Sequence, residues 1–184
     1  MNQIIARWQD WDGRGLEHLV LSEAADEISV DSVIIATVND RALALRYRVL
    51  CDTSWRVTKA EIGRIGEDSK TRLVSDRAGN WLDGAGKPLT KLKGAIDIDI
   101  STTPFTNTLP IRRLGLEKGS SSEILAIYIQ LPALTITTDR QRYTCIEPGK
   151  RYLYESVDSD FTREIEVDRD GLVVTYPGLF RRVM

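Results

Sequence analysis

Alternation of apolar and polar residues runs through almost the whole of this chain, while the three-to-four-residue apolar spacing of a helix is nearly absent. Side chains of an extended strand point alternately to opposite faces, so this pattern commits each segment to a half-buried strand. Leu16 to Leu21, Ile28 to Val38, Ala42 to Cys51, Trp55 to Ile65, Thr71 to Ser75, Ile96 to Ile100, Ile124 to Leu131, Leu134 to Ile146, Tyr152 to Val157, Phe161 to Val167 and Leu172 to Tyr176 read as strands. Turn signals separate them at Asp12-Gly13, Asn39-Asp40, Gly84-Ala85-Gly86, Pro148-Gly149, Asp170-Gly171 and Pro177-Gly178. A sheet of this many strands must curl or close. The expected fold is therefore all-β, a highly curved antiparallel sheet forming an open barrel or roll with short helices at most. One helical turn is expected at Ser22 to Asp26. Another should start at Thr103-Pro104-Phe105, which resembles an N-cap followed by Pro at the first helical position. Lys118 to Ser122 reads as a flexible loop.

Length and composition suit one core. A chain of 184 residues with 42% hydrophobic residues needs no second domain, so a single domain over residues 1–184 is expected. A formal net charge of −2 and a pI near 5.6 exclude a general attraction to nucleic acid or to an anionic membrane. Cys51 and Cys145 are far apart, with no CxxC spacing and no His cluster, and read as reduced core thiols rather than metal ligands. The opening MNQIIARWQDWDG has no basic start, no long apolar run and no small-residue cleavage site. The longest apolar stretches fall short of the roughly 20 residues a bilayer helix needs. A cytoplasmic location without stable membrane insertion is the expectation, and the oligomeric state is left open. A loose echo links LEHLVLSEAADEISV and LRYRVLCDTSWRVTKAEI to ILAIYIQLPALTITT and GKRYLYESVDSDFTREIEV, a likeness that antiparallel meanders readily generate.

One stretch departs from ordinary core sequence. From Asp97 to Leu114 the chain reads DIDISTTPFTNTLPIRRL, so that acids, hydroxyls, an amide and two guanidinium groups fall within a short span. Alternation puts Ile96, Ile98 and Ile100 on one face and Asp97 and Asp99 on the other, with about 6.5 to 7 Å between the two acidic positions. Such a pair can grip sugar hydroxyls, pair with Arg groups, or simply face solvent. Thr106 and Asn107 are candidates to hydrogen-bond a polar headgroup, although Thr/Asn clusters also brace tight loops. Read as extended chain, Arg112 and Arg113 point to opposite sides, so only one can meet the acids. Arg140 and Arg142, two apart, share a face and form either a clamp for an anionic group or a structural ion-pair network.

Aromatic residues are the second ingredient. Trp8 and Trp11 bracket Gln9-Asp10 beside a turn, where a large ring has little reason to be unless it covers something, and Tyr143 and Tyr154 lie on strands that can wall a cavity. Aromatics on strands otherwise serve as core. No GxSxG elbow, HExxH, phosphate-cradling Gly-rich loop or nucleotide fingerprint occurs, and the lone His18 has no motif partner. Hence no catalytic residue, metal or cofactor is assigned.

The block DGAGKPLTKLKGAIDIDISTTPFTNTLPIRRL resembles the signature of a bacterial family of glycolipid-binding proteins. WQDWDGRGLEHLVL, YRVLCDTSWRV, RQRYTCIEPGKRYLYE and DGLVVTYPGLFRRV extend the likeness over nearly the whole chain. The resemblance implies a curved β-roll similar to lipoprotein carriers, and it favours the acids as cavity lining. The expected function is non-catalytic binding of an amphiphilic, glycolipid-like small molecule. Its apolar part would lie against Trp and Tyr side chains, and its head would meet Asp97, Asp99, Arg112, Arg140 and Arg142. Two alternatives stand beside it. One is a carbohydrate-active hydrolase using Asp97 and Asp99 as acid and base, and the other is a protein-interaction module.

Overall fold

In the computed structural model of the protein, which describes residues 2–68 and 70–184, alternation has become strand almost throughout. Fourteen strands follow one another as β1 (Asn2–Asp10), β2 (Leu16–Glu23), β3 (Ile28–Val38), β4 (Arg41–Cys51), β5 (Val57–Arg64), β6 (Lys70–Ser75), β7 (Trp81–Asp83), β8 (Asp97–Ile100), β9 (Ser121–Gln130), β10 (Thr135–Glu147), β11 (Arg151–Ser156), β12 (Thr162–Val167), β13 (Val173–Tyr176) and β14 (Phe180–Arg182). All belong to one curved sheet, in the order β7-β6-β5-β4-β3-β2-β1-β14-β13-β12-β11-β10-β9-β8. The end strands β7 and β8 are not paired with each other, so the sheet stays open. Neighbours are antiparallel except β8 and β9, which run parallel because the segment between them carries the chain back across the sheet.

Local chemistry accounts for the corners. Asn39 and Asp40 both take positive φ, 50° and 59°, and Val38 pairs with Arg41. This is the two-residue hairpin geometry whose twist matches the flanking strands, and Asn and Asp tolerate it best after Gly. The expected helix start is found one step later. Thr103 Oγ1 accepts the Phe105 N–H at 3.0 Å, a 3₁₀ turn spans Phe105–Asn107, and α1 covers Thr108–Leu114. Gly115 ends α1 with φ 54°, the left-handed cap that favours glycine.

Several expectations are corrected. Ser22 and Glu23 lie in β2 and the following residues form no helical turn. Ser121 and Ser122 belong to β9 rather than to a loop. Strands β1, β7 and β14 carry too few alternating apolar positions, or are too short, to stand out in the sequence. The Arg112–Arg113 pair lies on a helix, not a strand.

Two apolar clusters fill the concavities. The larger joins Ala6, Leu19, Leu45, Tyr47, Val49 and Ile62 of β1 to β5 with Ile98, Ile100, Ile127 and Ile129 of β8 and β9. The second gathers Tyr143, Tyr154, Ile165, Val173 and Tyr176 of β10 to β13 with Ile111 of α1. Because residues directly opposite each other share a face, Ala126 opposite Asp139 places β9's other face with Gln141 and Tyr143. Strands β8 and β9 thus show Ile98, Ile100, Ile127 and Ile129 to the first cluster and Asp97, Asp99, Ile124 and Tyr128 to the side of the second. Cys51 and Cys145 are buried and unpaired.

Candidate functional site

Asp97 and Asp99 share a face, yet their surroundings differ. Asp97 is 1% exposed and is closed off by Arg113, whose Nε donates to Oδ1 at 3.0 Å while NH2 donates to Oδ2. Burial raises its pKa and the Arg113 hydrogen bond and charge pull it back down. Asp99 accepts from Thr106 Oγ1 at 2.9 Å and from Gln141 Nε2 at 2.7 Å, and it opens onto a cleft of about 390 Å³. Burial raises its pKa too, against the lowering effect of those two hydrogen bonds, and the neighbouring Asp139 charge adds to the rise.

Asp139 is the second carboxylate of the cleft. The same Gln141 Nε2 that bonds Asp99 donates to Asp139 Oδ2 at 3.0 Å, so one amide holds both acids. Tyr128, Tyr154, Tyr176, Ser156 and Ser159 complete the polar wall together with Asn107. Desolvation lifts the phenol pKa of Tyr128, Tyr154 and Tyr176, leaving them protonated donors at neutral pH. Tyr143 stands behind this wall, packed edge-on to Tyr154 at 5.4 Å, and its OH donates to Asn107 Oδ1 at 2.9 Å. Asn107 Nδ2 in turn donates to the Pro104 carbonyl, so Asn107 is both a wall residue and a brace of the helix start. Among the described residues lining the cleft, none is basic.

A second space adjoins the first. It measures about 210 Å³ and is lined on one side by Trp11, Leu16, Ile34 and Ile35 and on the other by Leu179 and Phe180. Ser101, Leu179 and Phe180 line both spaces, so groove and cleft lie side by side. The groove exposes apolar side chains that an isolated domain would ordinarily cover: Trp11 44%, Leu16 44%, Ile35 59% and Leu179 37%. Its wall is fixed by backbone, because Trp11 N donates to Leu179 O at 2.9 Å and Leu179 N to Tyr176 O at 3.0 Å. Trp8 lies beneath, 1% exposed, with its indole N–H donating to Val173 O and Arg182 stacked on its ring.

The structure thus gathers Asp99, Asn107 and Tyr154 in the cleft, Thr106 and Tyr143 directly behind it, and Trp8 and Trp11 in the groove. Three arginines named from the sequence are elsewhere. Arg112 stacks on Trp55 at 4.7 Å, donates to Asp170 O at 3.0 Å and approaches Glu23 at 3.8 Å. The acid-pairing partner is Arg113 instead, since on a helix adjacent residues diverge by about 100° rather than 180°. Arg140 and Arg142 do share a face, but it is the face opposite the cleft, where they pair with Glu123, Asp158 and Glu155. Sequence reasoning misses Tyr128, Asp139 and Gln141. A signal for two of them is present, since alternation through Asp139-Arg140-Gln141-Arg142-Tyr143 puts Asp139 and Gln141 on the face of Tyr143.

Among the described residues, no group of three or more His, Cys, Asp or Glu could hold a metal ion. No helix among them is long and apolar enough to cross a membrane. Residues 5–182 match the profile of the family described as "Putative glycolipid-binding". The chain is 38% identical to a DUF1089 family protein from Pseudomonas aeruginosa whose crystal structure superimposes with a TM-score of 0.80, over 91% of this chain and 92% of that one. No curated protein matches. With the profile spanning nearly its full length, the chain belongs to the family described as putative glycolipid-binding.

Proposed function

We propose that the protein binds one amphiphile across the two adjoining spaces, with an uncharged polyol head in the acid-lined cleft and its apolar tail in the Trp11 groove. The observation that carries this is the adjacency of the two spaces at Ser101, Leu179 and Phe180, one space polar and the other exposing large apolar side chains. Carboxylates accept hydrogen bonds from sugar hydroxyls, and the protonated tyrosines supply complementary donors. A phosphate or sulfate head would meet Asp99 and Asp139 with no cation among the lining residues to offset them, the Arg163 guanidinium being placed over the Phe161 ring. The family description supports the same class of ligand.

The test is native mass spectrometry of freshly purified protein, with organic extraction of what co-purifies and titration with octyl β-D-glucopyranoside and octyl phosphate. A retained neutral glycolipid, or a one-to-one complex with the glucoside and none with the phosphate, supports the reading. A clean apo mass that neither probe shifts would contradict it.

One observation favours a second reading. Asp99 and Asp139 face the same cleft in unequal surroundings, the arrangement from which an acid and a base are made in glycoside cleavage. That pair replaces Asp97 and Asp99, because Asp97 is closed off by Arg113. Glucose released from the octyl glucoside would move the assignment from carrier to hydrolase.

A further inference from the structure

The chain's net charge of −2 is an average over faces that differ. On β1 to β6, register defines the face turned away from the first apolar cluster, since directly opposed residues share a side. One row across it runs Arg7, His18, Val33, Arg46, Gly63 and Lys70. The next runs Ile5, Val20, Asp31, Arg48, Glu61 and Arg72, and beyond it Lys59 stands opposite Leu50 and Val74. Six cations thus meet two acids, and all six cations are exposed. Asp31 accepts from Arg46 at 2.9 Å, and Glu61 is shared by Lys70 at 3.1 Å and Arg72 at 2.9 Å. Arg7 donates to His18, and no acid among the described residues pairs with Arg7, Arg48 or Lys59. Gly63 places no side chain between Arg46 and Lys70, which leaves a recess of about 330 Å³ lined also by Arg48, Arg64 and the two acids.

Aliphatic side chains stand exposed among these charges. Ile5 is 44% exposed within the second row, and Leu16 and Ile35, opposed to each other on the far side of the first, also line the Trp11 groove. A surface that mixes unpaired cations with exposed aliphatic groups suits the headgroup layer of an anionic bilayer, where the cations meet lipid phosphate and the aliphatic groups leave water. A nucleic acid would reward the cations alone, since its phosphates give the aliphatic side chains no apolar contact. We infer that this face of β1 to β6 docks the protein on a bilayer containing anionic phospholipid, with a lipid phosphate entering the recess between Arg46, Arg48 and Lys70. Leu16 and Ile35 then bring the rim of the Trp11 groove to the bilayer surface. The docking goes beyond the amphiphile reading and does not depend on it.

The experiment floats the whole protein with vesicles of phosphatidylcholine alone, or of phosphatidylcholine and phosphatidylglycerol mixed three to one, at low and at raised sodium chloride. Wild type rises with the anionic vesicles at low salt, raised salt releases it, and neutral vesicles leave it behind. Arg48→Gln combined with Lys59→Gln lowers partitioning about twenty-fold, or roughly five-fold per cation. Arg140→Gln combined with Arg142→Gln removes the same charge from another face and leaves partitioning unchanged, with thermal melting confirming that both double variants are folded. No flotation with either vesicle at low salt overturns the docking surface and leaves the amphiphile reading, tested by the octyl glucoside titration, standing. Equal flotation with both vesicles, or an equal loss in the two double variants, overturns the assignment to these cations. A gel shift with a short DNA duplex, without flotation, overturns it in favour of nucleic acid.

Discussion

The two faces of strand β10 carry the same kinds of residue and put them to different ends. On one face Arg140 and Arg142 meet Glu123, Asp158 and Glu155 in solvent, with the side chains of Arg140 and Glu123 54% and 43% exposed. On the other, Asp139 and Gln141 join Asp99 against a wall of tyrosines. Charge in water is cheap to keep and weakly coupled, whereas a carboxylate drawn out of water must be matched by fixed donors. The outer face therefore forms pairs that neutralise one another, and the inner face turns its acceptors toward the cleft. Charged and polar residues alternate with one another along this strand, so burial, not composition, separates the candidate site from the ion-pair lattice.

The sharpest way to probe that contrast is Arg113→Ala, which leaves Asp97 buried and unpaired. A loss of about 3–5 kcal/mol in urea unfolding is expected, with most of it regained when Asp97→Leu and Arg113→Met are combined. A cost as small as that of a surface pair would place Asp97 with the outer residues.

Glu17 gives the next largest effect. Burial pushes its carboxyl from 4.5 up to about 7, against hydrogen bonds from Thr103, Tyr47 and Ser32 that lower it. The folded form holds its proton more tightly than the unfolded chain, so this stabilising contribution is complete below pH 4.5 and is lost as pH rises through about 7. Wild type should lose up to about 3 kcal/mol of stability from this group between pH 4 and 8. Glu17→Gln removes the titration and should flatten the curve, as urea midpoints at several pH values will show. An unchanged slope would mean that Glu17 is hydrated rather than buried.

The double variant Asp99→Asn, Asp139→Asn separates recognition from folding. Affinity for octyl β-D-glucopyranoside should fall about ten-fold or more, the value of one or two charge-assisted hydrogen bonds, with little change in melting temperature. At the small end stand Arg140→Ala and Arg142→Ala, each expected to change stability by less than about 1 kcal/mol and to leave binding unaltered. If either weakened binding as much as the acid variants do, the two faces of β10 would not differ as described.

How much can be read from the chain alone divides along the same line. The β3–β4 hairpin is fully legible, because alternation on both sides and Asn39-Asp40 between them report one local geometry. The helix α1 is legible only at its approach, where Thr103-Pro104 announces a helical start, since Pro110 suggests extended chain beyond it. Pro110 is tolerated as its third residue, where a backbone N–H has no partner within the helix. Reading that stretch as a strand leaves open which of Arg112 and Arg113 turns toward the acids. The acids themselves are legible at Asp97 and Asp99, but alternation cannot say which face of a strand turns inward. Charge alone therefore favours Arg140 and Arg142 over Asp139 and Gln141. The groove is foreshadowed only by Trp8 and Trp11, because Leu179, Ile35 and Ser101 come together through strand pairing distant in sequence.

Binding across the adjoining cleft and groove is tested most directly by titrating ¹⁵N-labelled protein with octyl β-D-glucopyranoside and following it by nuclear magnetic resonance. Saturable shifts are expected at the Trp11 indole, at the Leu179 and Ser101 amides and at the Gln141 side-chain amide, with the Arg140 and Arg142 side chains unmoved. Shifts centred on the outer face of β10, or none at concentrations below micelle formation, would contradict it.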